Sequence, residues 1–200
     1  SGLRFAVLRG SGKSDLAEQN NLLQMQCETV DWGIPAIRSS DPRHTGLIDS
    51  GWNPTDFVDT TLSKWPSTMA LSNSMSEDMF YTYGDVVAAE YRAVGIQMQL
   101  GPQFDQITDP RWSRNNSCIT EDYQLNEDLA NAMVTAMQTD ESEPIEDYGI
   151  DEGWGQNSVA AMAKHYPSSG TGEFGYEGHT DQGKFNVFPG DGYEAMVEIF

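Results

Sequence analysis

A lysine and a histidine stand side by side at the end of a short apolar run. The run 159–163 leads into Lys164 and His165, and Tyr166, Pro167 and two serines then interrupt it. Such a run predicts a buried strand that ends in a loop, and parallel α/β sheets and barrels hold ligands at the carboxyl ends of their strands. An ammonium and an imidazole there can donate hydrogen bonds to a group of hydroxyls. The alternative is a buried lysine paired with an acidic residue beside a histidine of the core.

Other segments with the same kinds of side chain follow predicted strands or lie in the loop beyond Lys164. They are 40–44 (Ser-Asp-Pro-Arg-His), 109–114 (Asp-Pro-Arg-Trp-Ser-Arg) and the loop that holds Glu173, Glu177, His179 and Asp181. In a barrel these loops converge on one rim, where Trp112 and nearby tyrosines are expected to stack on a ring. Sugars require charged groups that hydrogen-bond neighbouring hydroxyls and an aromatic surface against their C–H face. The set therefore favours a carbohydrate site.

Three other kinds of site are weaker interpretations of the same residues. His44, His165, His179 and the acids suggest a metal site, but the chain lacks an i,i+4 histidine pair or an H-E-x-x-H spacing. A serine hydrolase is disfavoured because there is no G-x-S-x-G sequence. No G-x-G-x-x-G comes directly after a predicted strand, and the Gly10-Ser11-Gly12 turn lacks the third glycine of a dinucleotide site.

Strand-like and helix-like segments alternate along the chain. The patterns predict strands over 3–8, 34–40, 96–100 and 159–163, helices over 14–30, 76–95 and 120–139, a solvated connection over 140–156, and a helix from Gly192. Such alternation gives a parallel sheet with right-handed crossovers. Long loops after the strands favour a (β/α) barrel over a doubly wound domain. We therefore predict an α/β fold, a partial TIM-type barrel of about four βα units.

The length of the chain limits how much of a barrel it can form. A complete barrel has eight strands and typically about 250 residues, whereas this chain has 200. The missing initiator methionine and the absence of a closing element lead us to expect a fragment, with the rest of the barrel on a longer parent chain or an oligomeric partner.

Charge and composition exclude several partners. A net charge of −20 opposes binding to nucleic acid or an anionic membrane. No apolar run approaches the roughly 20 residues of a membrane-spanning helix. Two cysteines, Cys27 and Cys118, are too few for a disulfide framework or a zinc site. Cys27 is expected to be a small buried residue of the first helix.

Short segments spread along nearly the whole chain resemble, in the same order, segments of the N-terminal barrel of glycoside hydrolase family 3, the β-glucosidase and β-xylosidase family. The matching segments are 9–10, 33–35, 39–44 (Ser-Ser-Asp-Pro-Arg-His), 65–67, 90–96, 109–114, 120–122, 163–167 (Ala-Lys-His-Tyr-Pro) and 187–190. No single segment is decisive, but the collinear set is highly specific.

The resemblance implies roles for particular residues. Asp41, Arg114, Lys164 and His165 match the residues that hold the sugar hydroxyls in subsite −1, and His179 falls where one branch of the family also has a histidine. The implied reaction is exo-hydrolysis of a terminal β-linked sugar, such as a β-glucoside, by double displacement without metal or organic cofactor. A secreted or periplasmic location is favoured.

Two departures from the family pattern limit what the resemblance implies. Ser168 and Ser169 replace a glycine-rich turn, and with Ser169 in place of a histidine the N-acetylglucosaminidase branch is disfavoured. Retaining glycosidases need two carboxylates about 5–5.5 Å apart, and the family's nucleophile and acid/base have no counterpart in residues 1–200. Asp41 follows a serine as the nucleophile does, but it occupies the position of the sugar-holding aspartate. We therefore expect this chain to supply the −1 subsite without either catalytic carboxylate. The alternative is a non-catalytic carbohydrate-binding or scaffolding relative.

Overall fold

Four parallel strands lie side by side in the order in which the chain forms them. The structure, a computed structural model, describes residues 4–8, 16–45, 62–140, 153–166, 168–170, 172–188 and 190–198. The strands are β1 (Phe5–Val7), β2 (Ile37–Ser40), β3 (Met98–Gln99) and β4 (Ala160–Ala161). The helices are α1 (Leu16–Glu28), α2 (Thr68–Ser72), α3 (Glu77–Ala93), α4 (Tyr123–Gln138) and α5 (Gly192–Glu198). Helices between successive parallel strands confirm the predicted α/β fold.

The two long helices begin and end where the sequence predicts. Ser76 caps α3 by accepting a hydrogen bond from the backbone N–H of Met79 at 3.2 Å, and Asp122 caps α4 by accepting one from Leu125 at 2.9 Å. Gly95 has a positive φ of 79° just after α3, a conformation that glycine adopts at little cost. These local signals explain why both helices were predictable to within a few residues.

The core lies between α3, α4 and one face of the sheet. Its fully buried members are Phe80, Val87 and Tyr91 of α3, Leu129 and Met137 of α4, and Ile96, Ile119 and Val159 beside the strands. The helices approach closely at Gly84, where a Cβ atom would lie 2.5 Å from the carbonyl oxygen of Met133. This close approach requires a residue without a side chain.

The other face of the sheet is only partly covered by the described residues: Ser39 on β2 is buried, whereas β1 is open. In β1, Ala6 is buried, whereas its neighbours Phe5 and Val7 remain 56% and 42% exposed. Val7 shares its register row with Ser39, Met98 and Ala160, so these side chains belong to the same face. In a closed barrel such a face forms the interior. One covered face and one partly open face fit a four-strand arc of a barrel.

Some predicted features differ or lie outside the described residues. The short helix α2 was not predicted, and the strands are shorter than the apolar runs. Backbone hydrogen bonds nevertheless continue past β4 to Lys164, whose N–H donates to the Pro102 carbonyl at 3.1 Å. The 10–12 turn, the predicted start of α1 at Ser14, residues 141–152 and Pro167 lie outside the described residues. Among the helices that the structure describes, none is long and apolar enough to cross a membrane.

Candidate functional site

Lys164 and Asp41 meet at the carboxyl end of the sheet. The register aligns Ser40 with Gln99 and Gln99 with Ala161, so both side chains follow strands that end at the same edge. Lys164 Nζ donates to Asp41 Oδ1 at 2.6 Å, and both side chains are partly buried. The Lys164–His165 peptide bond is cis. The pair therefore presents one cation and one anion, each with hydrogen-bonding capacity left over.

His165 is held by a buried carboxylate. Its Nδ1 lies 2.9 Å from Asp105 Oδ2, and Asp105 also accepts hydrogen bonds from the backbone N–H groups of His165 and Ser169. Asp105 is fully buried, whereas the His165 ring keeps part of its surface exposed. A carboxylate on Nδ1 fixes the orientation of the ring and leaves Nε2 for a ligand.

His179 is held in the same way by Glu177. Its Nδ1 lies 2.5 Å from Glu177 Oε1, and Glu177 Oε2 accepts a hydrogen bond from the Trp112 indole at 2.8 Å. Burial by itself would raise the pKa of Glu177, but the hydrogen bond from His179, the charge of Arg114 and the bond from Trp112 together lower it. Glu177 is therefore an anion that joins three of its neighbours.

Arg114 is a buried cation whose hydrogen bonds are incomplete within the described residues. It is 6% exposed; its Nη2 donates to Gln103 Oε1 at 2.7 Å, and its Nη1 lies 3.6 Å from Glu177 Oε1. Nε and Nη1 have no hydrogen-bond partner among the residues described. Buried N–H groups without acceptors are costly, so this guanidinium is suited to a ligand that brings acceptors.

A continuous series of contacts joins all five residues singled out from the sequence. Asp41 contacts Lys164, which precedes His165; the rings of His165 and His179 pack edge to face at 6.3 Å between centroids. His179 reaches Arg114 through Glu177. The five side chains thus form one cluster at the strand ends.

Two residues that were expected to face a ligand at this rim are buried instead, and for both the expectation is wrong. Trp112 is only 2% exposed, so its ring cannot stack on a sugar; its indole instead anchors Glu177. His44 is fully buried against helix α3, where its Nε2 lies 3.0 Å from Glu90 Oε2 and its ring packs on Tyr91. A tryptophan or histidine next to a strand end can equally serve to support the loop.

The two arginines of segment 109–114 lie in different environments. Arg111 pairs with Asp109 at 2.6 Å on the surface, and its hydrogen bonds lower the pKa of Asp109 to about 2. Only Arg114 at the end of the segment enters the cluster. Sequence spacing did not distinguish the two arginines, because both follow the same strand.

Sequence reasoning missed Asp105 and Gln103 and named Glu177 only as a neighbour. Asp105 lies in the loop five residues after the end of the predicted third strand at Leu100, so a search of the loops beyond the strands for carboxylates could have identified it. Gln103 carries no comparable signal, because an uncharged amide after a strand is common.

Neither metal nor disulfide chemistry has support in the part of the chain that the structure describes. Across that part, no three His, Cys, Asp or Glu side chains converge in a way that could hold a metal ion. Cys27 and Cys118 are both free thiols and both buried, which confirms the expectation for Cys27.

Comparison with known proteins finds a matching protein family. The sequence profile described as the glycosyl hydrolase family 3 N-terminal domain matches residues 12–192. The chain is 32% identical over 195 residues to a periplasmic β-glucosidase/β-xylosidase of Dickeya chrysanthemi, covering 96% of this chain and 28% of that protein. It is 30% identical over 184 residues to β-glucosidase C of Emericella nidulans, covering 92% of this chain and 28% of that protein.

Solved structures of β-glucosidases also resemble this chain. A β-glucosidase from Erythrobacter marinus superimposes with a TM-score of 0.67 and 25% identity over 88% of this chain and 21% of its own. A β-glucosidase from Listeria innocua in complex with isofagomine gives a TM-score of 0.64 and 25% identity over 96% of this chain and 24% of its own. The chain therefore spans roughly a quarter of the length of these proteins, and the matched part includes the cluster.

Proposed function

The chain belongs to glycosyl hydrolase family 3, and from that premise we propose that it is part of the N-terminal barrel domain of a β-glycosidase and supplies the subsite for the terminal sugar. The parent protein would hydrolyse terminal β-linked sugars such as β-glucosides. The relatives named as β-glucosidases and β-xylosidases support this substrate class.

One observation carries the site assignment: the buried Arg114 guanidinium, whose Nε and Nη1 have no hydrogen-bond partner among the described residues. Hydroxyl oxygens of a bound sugar are suitable acceptors for these N–H groups. Lys164 and His165 add donors beside it, and Asp41 adds a carboxylate that accepts hydrogen bonds from hydroxyls. A sugar bound here would exchange water for charge-assisted hydrogen bonds around its ring.

The proposed chemistry is double displacement with retention. A carboxylate attacks the anomeric carbon while a carboxylic acid protonates the departing glycosidic oxygen, and water then hydrolyses the glycosyl–enzyme. Both groups would come from residues outside this chain, as would the strands that complete the barrel. The role of the present residues is to hold the ring hydroxyls, where bonds that strengthen in the transition state raise the rate.

We further propose that the parent protein works outside the cytoplasm, in the periplasm or after secretion. The support is the Dickeya relative, which is named as periplasmic. Fractionation of the source cells with assay of each fraction tests this directly.

The decisive experiment uses the parent protein with 4-nitrophenyl β-D-glucopyranoside and the corresponding β-D-xyloside. We expect turnover, a first product in the β configuration by proton NMR, and a large loss of kcat/KM in Asp41→Asn. The matched control is Asp181→Asn, because Asp181 also pairs with a lysine but is highly exposed.

Three outcomes would contradict parts of this proposal. An α-configured first product excludes retention. Equal kcat/KM in wild-type and Asp41→Asn proteins removes the site assignment. Glucose binding by calorimetry without any turnover favours the non-catalytic carbohydrate-binding alternative. Residues 1–200 alone are expected to give no turnover, because positioning without a nucleophile and proton donor leaves most of the barrier in place.

A further inference from the structure

We propose that Gln103 and Cys118 are positioning residues that lock the Arg114 guanidinium through a closed ring of three hydrogen bonds. Arg114 Nη2 donates to Gln103 Oε1 at 2.7 Å, and Gln103 Nε2 donates to Cys118 Sγ at 3.4 Å. Cys118 Sγ in turn donates to the backbone carbonyl of Arg114 at 3.6 Å. The ring returns to the residue where it began.

The ring matters because its three residues are buried away from solvent. Gln103, Arg114 and Cys118 are all buried, and Cys118 is fully so. Solvent therefore cannot replace a lost partner, and each broken bond leaves a polar group unsatisfied. Hydrogen bonds to a charged guanidinium are among the stronger ones in proteins.

The ring has one consistent direction of donation. If the Gln103 amide were flipped, its NH2 group would face the guanidinium, donor against donor. The Cys118 sulfur prevents this by accepting from Nε2 while its S–H points to the Arg114 carbonyl. Burial, and secondarily the charge of Asp105, raise the pKa of Cys118, so the thiol keeps the proton that it donates.

Gln103 also connects Arg114 to the other cation of the cluster. Its backbone forms a parallel bridge with Lys164, which in turn contacts Asp41. Because Gln103 accepts from Nη2, the guanidinium is oriented with Nε and Nη1 left without a hydrogen bond among the described residues, and Nη1 lies beside Glu177 at 3.6 Å. The ring thus determines which N–H groups of Arg114 face a ligand.

This inference rests on the proposed function for its effect on activity, but the ring itself can be tested separately. In the parent protein, Gln103→Leu is expected to lower kcat/KM for the aryl β-glucoside by about 10-fold or more, as expected for loss of a bond to a charged group. The matched control is Gln106→Leu, which removes an equally buried glutamine of the same segment that bonds to the Glu121 carbonyl. That control should lower the melting temperature without changing kcat/KM of the folded enzyme.

A double-mutant cycle separates positioning from general damage. If Gln103 acts through Arg114, then adding Gln103→Leu to Arg114→Met should change kcat/KM by less than about twofold. If Gln103→Leu lowers kcat/KM in the Arg114→Met protein as much as it does in the wild-type protein, the proposal is wrong. It is also wrong if a Gln103→Leu protein keeps wild-type kcat/KM while Arg114→Met does not.

Cys118 provides a second pair of variants should Gln103→Leu fail to fold. Cys118→Ser keeps a donor and an acceptor and should retain most activity, whereas Cys118→Val has similar shape but breaks the ring and should lose it. Equal kcat/KM in the two variants contradicts the ring.

Crystal structures decide the matter even if the wild-type protein proves inactive and the proposed function falls. The Arg114 guanidinium should move by about 1 Å or more in Gln103→Leu, a displacement sufficient to impair a binding site. A guanidinium that stays in place overturns the positioning role whatever the activity.

Discussion

At the scale of single residues, the cluster is organised by carboxylates that are themselves buried. Asp105 and Glu177 each hold a histidine through Nδ1, and Glu177 also lies beside Arg114. Buried charges of this kind are stable only when they are paired and hydrogen-bonded. Removing one member therefore affects its partners as well as the ligand.

Lys164 distinguishes ligand binding from charge neutralisation. In the parent protein, Lys164→Met should preserve the fold but lower kcat/KM by about 10- to 150-fold, because charge-assisted bonds to a buried ligand contribute roughly 1.5–3 kcal/mol each. Lys184→Met is the control, since Lys184 forms an exposed pair with Asp181. If melting falls by many degrees while kcat/KM of the folded enzyme is unchanged, Lys164 merely neutralises Asp41.

Glu177 should make stability depend on pH on the acid side. Its pKa is lowered in the folded protein from an ordinary value of 4.5, so its contribution to stability is complete above that pH and is lost as the pH falls below it. We expect Glu177→Gln to lower the melting temperature of the parent protein at pH 7 by roughly 2–5 °C, with a difference that narrows below about pH 4.5.

The exposed Glu173 in the same loop is the control, and Glu173→Gln should leave the curve unchanged. A difference between wild-type and Glu177→Gln proteins that stays constant down to about pH 3 would show that packing, rather than the charge, accounts for the loss.

From the sequence, the residues that we propose to face the sugar were easier to single out than the residues that support them. Asp41, Lys164 and Arg114 are charged residues after strands, and a charge at such a place is unusual enough to notice. Trp112 and His44 have equally suggestive types, but their burial depends on how Glu177 and Glu90 pack against them. That packing is decided by tertiary contacts, which spacing along one strand or loop does not contain.

At the scale of elements, the close packing of α3 against α4 depends on one glycine. Replacing Gly84 by alanine should stabilise an isolated helix by about 1 kcal/mol, yet its Cβ would lie 2.5 Å from the Met133 carbonyl. We expect a net loss of about 1–3 kcal/mol in the free energy of unfolding, because the helices must separate to relieve the overlap.

Chemical denaturation of the parent protein measures this loss. Thr82→Ala is the control, because Thr82 is exposed on the same helix and gains helix propensity without touching α4. Should Gly84→Ala be as stable as wild type, the contact between the two helices must be looser than described.

Helices were easier to predict than strands for a local reason. Ser76, Asp122 and Gly95 are capping residues whose effect lies within one turn of the helix. Each strand, in contrast, is defined by pairing with a neighbour that is dozens of residues away, so its ends depend on the sheet rather than on its own sequence. The short helix α2 has only Ser67 as a cap and five residues, too few for a periodic pattern.

At the scale of the whole molecule, the described arc leaves part of one sheet face exposed and one edge of each outer strand unpaired. Among the residues described, β1 pairs only with β2 and β4 only with β3. Unpaired edges and exposed residues such as Phe5 and Val7 favour association. We therefore expect residues 1–200 in isolation to be poorly folded or oligomeric.

Sedimentation analysis and thermal denaturation of residues 1–200 test this expectation. A monodisperse monomer with a cooperative transition would show a self-sufficient domain instead. The parent protein, measured under the same conditions, is the reference.

The strand order also sets a condition for the cluster to form. Among the described residues, each strand pairs only with its neighbours in chain order, so pairing can proceed outward from one end as the polypeptide emerges. The bond between Lys164 and Asp41 is different, because it joins residues 123 positions apart on strands that do not touch. Strand β3 lies between them, and a slip of β3 by one residue would turn its side chains to the opposite face. The bond therefore requires both pairings of β3 to be in register, which makes it a direct reporter of the register of the arc.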